Sequence, residues 1–145
     1  MNVLLSIKPE FAEKILSGQK KYEFRKTPIK KSDTVDKVIL YASSPAQRIV
    51  GAFEITQIVS APPRELWEQY GGRSGIDDRS RFMDYYEGKQ EGYAIEINNP
   101  RRLLTEIDPT KHIDGFTPPV SFQYVNGEFD SVFEQESTET VPASD

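Results

Sequence analysis

The stretch from Leu4 to Arg25 constrains the fold most, because it joins a strand, a helix and a second strand loaded with charge. Residues 3 to 7 read as a buried strand. Pro9 suits the first turn of a helix carrying Phe11, Ala12, Ile15 and Leu16, and Gly18 stops it. Residues 20 to 25 then form a second strand, in which Lys21, Glu23 and Arg25 share one face by the two-residue period while Tyr22 and Phe24 point the other way. With Lys20 ending the turn after Gly18, two ammoniums, a carboxylate and a guanidinium are concentrated together. That mixture suits a polar or anionic ligand. A solvated strand face accounts for the same pattern.

At 145 residues the chain fits one domain with a self-sufficient core. Cysteine is absent and His112 is the lone histidine, which argues against a cysteine nucleophile, a thiolate zinc site or a serine–histidine triad. The beginning reads as strand and helix without a signal segment, and no window reaches the length of a membrane span, so the expectation is a cytoplasmic protein with no membrane partner.

The formal net charge of −5 looks wrong for a nucleic-acid binder until its distribution is considered. Residues 126 to 145 carry six acids (Glu128, Asp130, Glu134, Glu136, Glu139, Asp145) and no base, which leaves 17 acids against 18 bases in residues 1 to 125. Residues 1 to 31 hold eight bases against three acids. This asymmetry favours an anionic ligand near the amino-terminal strands.

Further along, the basic run from Lys26 to Asp33 is broken by Pro28 and reads as a mobile loop bordering the charged strand. Val38 to Tyr41 make a third strand ending at Ala42-Ser43-Ser44-Pro45, and residues 48 to 59 a long fourth one. Gly51 inside it marks a bulge, a barrel corner, or a close approach by another backbone or a ligand. Pro62-Pro63 opens a short helix with Leu66, Trp67 and Tyr70. A second helix, capped by Asp77 or Asp78, carries the aromatic stripe Phe82, Tyr85 and Tyr86, best read as core. Tyr93 to Ile97, Arg101 to Ile107 and Val120 to Val125 read as three more strands, a count that suits a small barrel. The domain is expected to end at residue 125. Beyond it, the Ser, Thr, Glu and Pro content predicts a disordered acidic tail, from which Phe129, Val132 and Phe133 can dock weakly.

Several of these segments, in order across about residues 3 to 124, resemble the ASCH domain of the PUA-like superfamily. The resemblance rests on Leu5-Ser6-Ile7-Lys8-Pro9, on Ile15-Leu16-Ser17-Gly18 followed by Lys20, Glu23 and Arg25, and on Tyr41-Ala42-Ser43-Ser44-Pro45 leading into Val50-Gly51-Ala52-Phe53. Downstream, Glu65-Leu66-Trp67, Ser74-Gly75-Ile76, Gly92-Tyr93-Ala94-Ile95 and Pro118-Pro119-Val120-Ser121-Phe122 look like a branch often labelled predicted transcriptional regulators. The resemblance implies an α+β fold, a small mixed β-barrel of about six strands with helices at its mouth. It also implies a cleft lined by Lys20, Glu23 and Arg25, with Ser6, Lys8, Tyr41, Ser43 and Ser44 as neighbours. The ligand so implied is RNA or a modified nucleotide, with DNA possible.

The chemistry of these residues suits that implication. Arg25 can grip phosphate by a bidentate fork, Lys8, Lys20 and Lys21 add point charges, and Tyr41 or Trp67 can stack a base. Glu23 can accept from a base edge, or simply pair with Arg25 or Lys21. Some small relatives in the superfamily remove an acetyl group from acetylated cytidine with a lysine, a threonine and a glutamate. Here Lys20 matches the lysine, Glu23 stands at the threonine position, and only Asp77 or Asp78 offers the carboxylate. If the chain is an enzyme, Lys20 and Glu23 are the catalytic candidates, for an amidohydrolase or a ribonuclease. A protein-binding accessory regulator with the tail as nucleic-acid mimic is a further reading. The expectation is a monomer with no metal or organic cofactor.

Overall fold

A computed structural model describes residues 1–136 and 138–141. The chain runs β1 (Asn2–Ile7), α1 (Pro9–Leu16), β2 (Tyr22–Arg25), β3 (Val38–Ala42), β4 (Arg48–Ala61), α2 (Pro63–Tyr70), α3 (Arg79–Tyr85), β5 (Gly92–Ile107), β6 (Phe122–Val125), α4 (Gly127–Glu134) and β7 (Thr138–Thr140). The strands form one sheet in the order β2-β5-β4-β3-β1-β6, with β7 added to β5, curled into a half-barrel. β1 and β3 are parallel; the other pairs are antiparallel.

The two-residue strand period sorts the core. Val3, Leu5 and Ile7 of β1 join Val38, Leu40 and Ala42 of β3 under the buried face of α1, while Leu4, Ile39 and Tyr41 face a second cluster on the other side. A third cluster sits under α2 and α3, where Tyr22 and Phe24 of β2 meet Leu66, Phe82 and Tyr86. The aromatic stripe of α3 is therefore largely core, with Asp78 as the helix cap, its carboxylate accepting from Ser80 N at 2.9 Å.

Three expectations change. The segments 93–97 and 101–107 belong to one strand, β5, which crosses Asn98-Asn99-Pro100 with Asn99 at φ +50° and a shift of register against β4. A bulge absorbs the missing Pro100 N–H without ending the strand. The 26–33 loop is pinned, because Ile29 is buried in the first cluster and the Tyr124 hydroxyl donates to the Lys30 carbonyl. Its lysines dominated the composition and masked that single apolar anchor. Finally, the acidic segment does not leave the domain at residue 125. Asn126 caps α4 by accepting from Phe129 N at 3.2 Å, and Phe129 and Phe133 bury themselves against Leu4, Ile39 and Leu103. Two phenyl rings on one helical face supply the apolar area that the composition as a whole lacks. Ser137 and residues 142–145 of that segment lie outside the described residues.

Candidate nucleotide-binding cleft

β2 is an edge strand, so Glu23 and Arg25 on its inner face look into the gap where the half-barrel fails to close. Lys20 reaches the same place from the turn after Gly18, whose φ of +83° lets the helix stop and the chain reverse. The three side chains form one buried ion cluster. Glu23 Oε1 lies 3.2 Å from Lys20 Nζ, while Oε2 takes Arg25 Nε at 2.8 Å and Nη2 at 2.7 Å. Lys20 Nζ also donates to the Ser74 carbonyl and lies 5.0 Å from the centre of the Phe11 ring. Arg25 spans the gap to the opposite side, donating from Nη2 to Ser6 O at 2.9 Å and from Nη1 to Ser121 Oγ at 3.4 Å. Lys20 is only 2% exposed and Glu23 6%.

Burial at this depth disfavours both charges, and the outcome differs for each. Burial pushes the Lys20 ammonium below its ordinary value, an effect that the attraction of Glu23 opposes without cancelling. For Glu23, burial alone would raise the pKa, but the two cations outweigh it and hold the carboxyl below its ordinary value.

Above this floor lies a cleft of about 640 Å³. Phe11, Ile76, Phe82 and Tyr85 line it together with Pro118, Pro119 and Val120, and Ser6, Lys8, Ser43, Arg81 and Asp84 complete the lining. Burial raises the Tyr85 hydroxyl pKa, and the Lys26 ammonium lies 4.5 Å from the centre of that ring. A cleft with apolar and aromatic lining over a charged floor can hold a planar heterocycle and bond its polar edge. Among the described residues, no group of three or more His, Cys, Asp or Glu side chains is placed to hold a metal ion, and no helix is long and apolar enough to cross a membrane.

Of the residues singled out in the sequence, Ser6, Lys8, Lys20, Glu23, Arg25 and Ser43 line this cleft. Lys21, Tyr41 and Ser44 do not. Lys21 precedes β2, and its backbone N–H bonds Arg73 O at 2.7 Å, so the strand alternation that should have aimed it at the ligand does not extend to it. Tyr41 turns to the far face of β3 and packs on Phe116, with ring centres 5.5 Å apart. Trp67 is likewise taken up against Phe82, 5.1 Å away, and lies outside the cleft. The fork of Arg25 is occupied by Glu23, the pairing that competed with phosphate binding. Neither Asp77 nor Asp78 lines the cleft; Asp78 caps α3.

Phe11, Arg81, Tyr85 and Pro118 to Val120 also line the cleft, beyond the residues expected at the site. A signal was present for two of them. Phe82 and Tyr86 are four residues apart on the core face of α3, so Arg81 and Tyr85, also four apart, share a neighbouring face.

Fold and site together define a half-barrel domain whose unclosed edge frames a polar-floored ligand cleft. The chain belongs to the ASCH domain family, whose model matches residues 5–106. It is 30% identical over 128 residues to the ASCH domain-containing ribonuclease of Zymomonas mobilis subsp. mobilis, covering 86% of this chain and 84% of that one. The crystal structure of ASCH from Zymomonas mobilis superposes with a TM-score of 0.83 at 26% identity, covering 94% of this chain and 96% of the other. A serine-to-alanine mutant of that protein gives 0.84 at 24% identity, over 94% and 96% of the two chains.

Proposed function

We propose that the protein binds single-stranded RNA by drawing one base into the cleft over Lys20, Glu23 and Arg25. The observation that carries this reading is a slot with aromatic and proline walls over a floor of buried charge. Unstacked bases are recognised by stacking and by hydrogen bonds to their edges, and both kinds of group are present. On this reading the chain works as a cytoplasmic monomer of PUA-like type. The acids after residue 125 repel the strand and take no part in holding it.

A second reading, cleavage of the bound strand, is favoured by the 30% identical relative named as a ribonuclease. Cleavage by attack of the 2′-hydroxyl on the adjacent phosphorus forms a 2′,3′-cyclic phosphate and breaks the bond from phosphorus to the 5′-oxygen, which takes a proton from solvent as it leaves. The attack needs a base for the 2′-hydroxyl proton. Lys20, whose burial favours the neutral amine, is the residue for it.

The test is binding of the purified protein to an RNA oligomer, a DNA oligomer of the same sequence, and acetylated and methylated nucleosides, at two salt concentrations with product analysis. RNA should bind more tightly than DNA, and Tyr85→Ala should weaken RNA binding about 10-fold, as removal of one stacking contact does. Intact RNA makes the chain a binding or regulatory module, whereas shortened strands with cyclic phosphate ends make it a ribonuclease. Deacetylation of the nucleoside alone would replace both readings with an amidohydrolase. Silence across the panel would leave a protein-binding accessory role in their place.

A further inference from the structure

The two cations of the cleft floor are already engaged within the protein, with Arg25 Nη1 also reaching Ser121 Oγ at 3.4 Å. Glu23 engages Lys20 and the Nε and Nη2 edge of Arg25, and Ser6 O takes Nη2 as well. A strand whose base enters the slot still brings a phosphodiester to the rim. The lining cations there are Lys8 and Arg81.

Arg81 projects from α3 and is held across the mouth by Glu10 of α1, with Nη2 to Oε1 at 2.5 Å and Nη1 to Oε2 at 3.4 Å. Its guanidinium lies 4.7 Å from the centre of the Phe11 ring, so the fork sits beside an aromatic residue of the cleft lining. Both side chains are exposed, Arg81 at 41% and Glu10 at 49%, and an ion pair in water contributes little to stability. A phosphodiester offers the same two-oxygen geometry as the carboxylate it would replace. We infer that Arg81 is the phosphate-binding residue of the cleft and that Glu10 occupies its fork only until a strand enters and displaces it. This inference rests on the RNA reading above.

The same helix supplies a matched control. Glu13 holds Arg102 in a second exposed two-point pair, at 2.7 and 3.0 Å, and neither residue lines the cleft.

Affinity for a fluorescein-labelled single-stranded RNA, read by anisotropy at two salt concentrations, should fall about 10-fold in Arg81→Ala. The slope of log affinity against log salt should drop by about 0.7, the loss of one phosphate contact. Glu10→Gln should tighten binding about threefold, the worth of an exposed pair, and by more than Glu13→Gln. The gain should vanish when Glu10→Gln is combined with Arg81→Ala. Thermal melts of each variant exclude misfolding as the cause. Equal effects of Glu10→Gln and Glu13→Gln, or a gain that survives without Arg81, would overturn the exchange while leaving the RNA reading intact. Failure of the wild-type protein to bind the RNA would overturn both.

Discussion

Glu23→Ala should cost about 3–5 kcal/mol of folding stability, a large share of what a domain of this size possesses. The variant removes the anion that pairs Lys20 and Arg25, whose side chains are only 1% and 11% exposed, and leaves both cations without it. Arg25 still holds Ser6 O and Lys20 still holds Ser74 O, but neither carbonyl offsets a full charge. Lys20→Met should cost less, because it leaves Glu23 paired with Arg25.

The loss should also depend on pH in a defined way. Glu23 titrates below its ordinary value of 4.5 in the folded state, so its contribution is present above that pH and is lost as pH falls through the folded pKa. The penalty of Glu23→Ala should therefore shrink in acid, as the wild type loses the same contribution. Lys20 titrates below its ordinary 10.5, so the folded protein binds fewer protons there than the unfolded chain, and stability rises with pH across that window. Without Glu23 the folded pKa drops further, and raising the pH from 7 towards 10.5 should recover part of the deficit. Urea titrations of wild type and Glu23→Ala across this range check both limbs. A loss under 1 kcal/mol with no pH dependence would mean that the cluster does not hold the site together.

Gly51→Ala should destabilise by about 3 kcal/mol, at the upper end of what overpacking costs. A Cβ at this position would lie 2.3 Å from the carbonyl oxygen of Arg101 on β5 and 2.8 Å from Leu16 Cδ2 of α1. The first obstacle is backbone and cannot rotate away, so β4 and β5 must part where the register already shifts. Gly72→Ala, with nothing within 4 Å of its Cβ, serves as the control and should change stability little. Chemical denaturation should show a lower midpoint at an unchanged slope for Gly51→Ala. Equal midpoints for the two variants would show that the close approach carries no energetic weight. Of the readings that this glycine left open, the structure shows both a register shift and a close approach by backbone.

What the sequence made legible depended on how local the cause was. Pro9, Gly18, Pro63 and Asp78 mark helix ends through their own backbone chemistry, so α1 to α3 could be read directly. The alternation in β2 likewise placed Glu23 and Arg25 on one face. It failed for Lys21, because the strand begins one residue later. Tyr41 shows a different limit. β1 and β3 are buried on both faces, so polarity gives no clue to which face a tyrosine takes. The cleft walls depend on contacts between α1, α3 and the segment before β6, and no local pattern encodes that meeting. In α4, a charge-rich composition concealed two phenyl rings on one helical face, as the lysines of the 26–33 loop concealed Ile29.

Entry of single-stranded RNA into the cleft over Lys20, Glu23 and Arg25 would perturb a defined set of backbone amides. Amide chemical-shift mapping during titration with an RNA oligomer tests it most directly. Shifts should concentrate at Ser6, Lys8, Phe11, Lys20, Glu23, Arg25, Ser43 and Tyr85. The separate groove of about 420 Å³ beside Lys37, Asn99 and Arg101 should stay silent. Shifts gathered in that second groove, or none at saturating RNA, would contradict it.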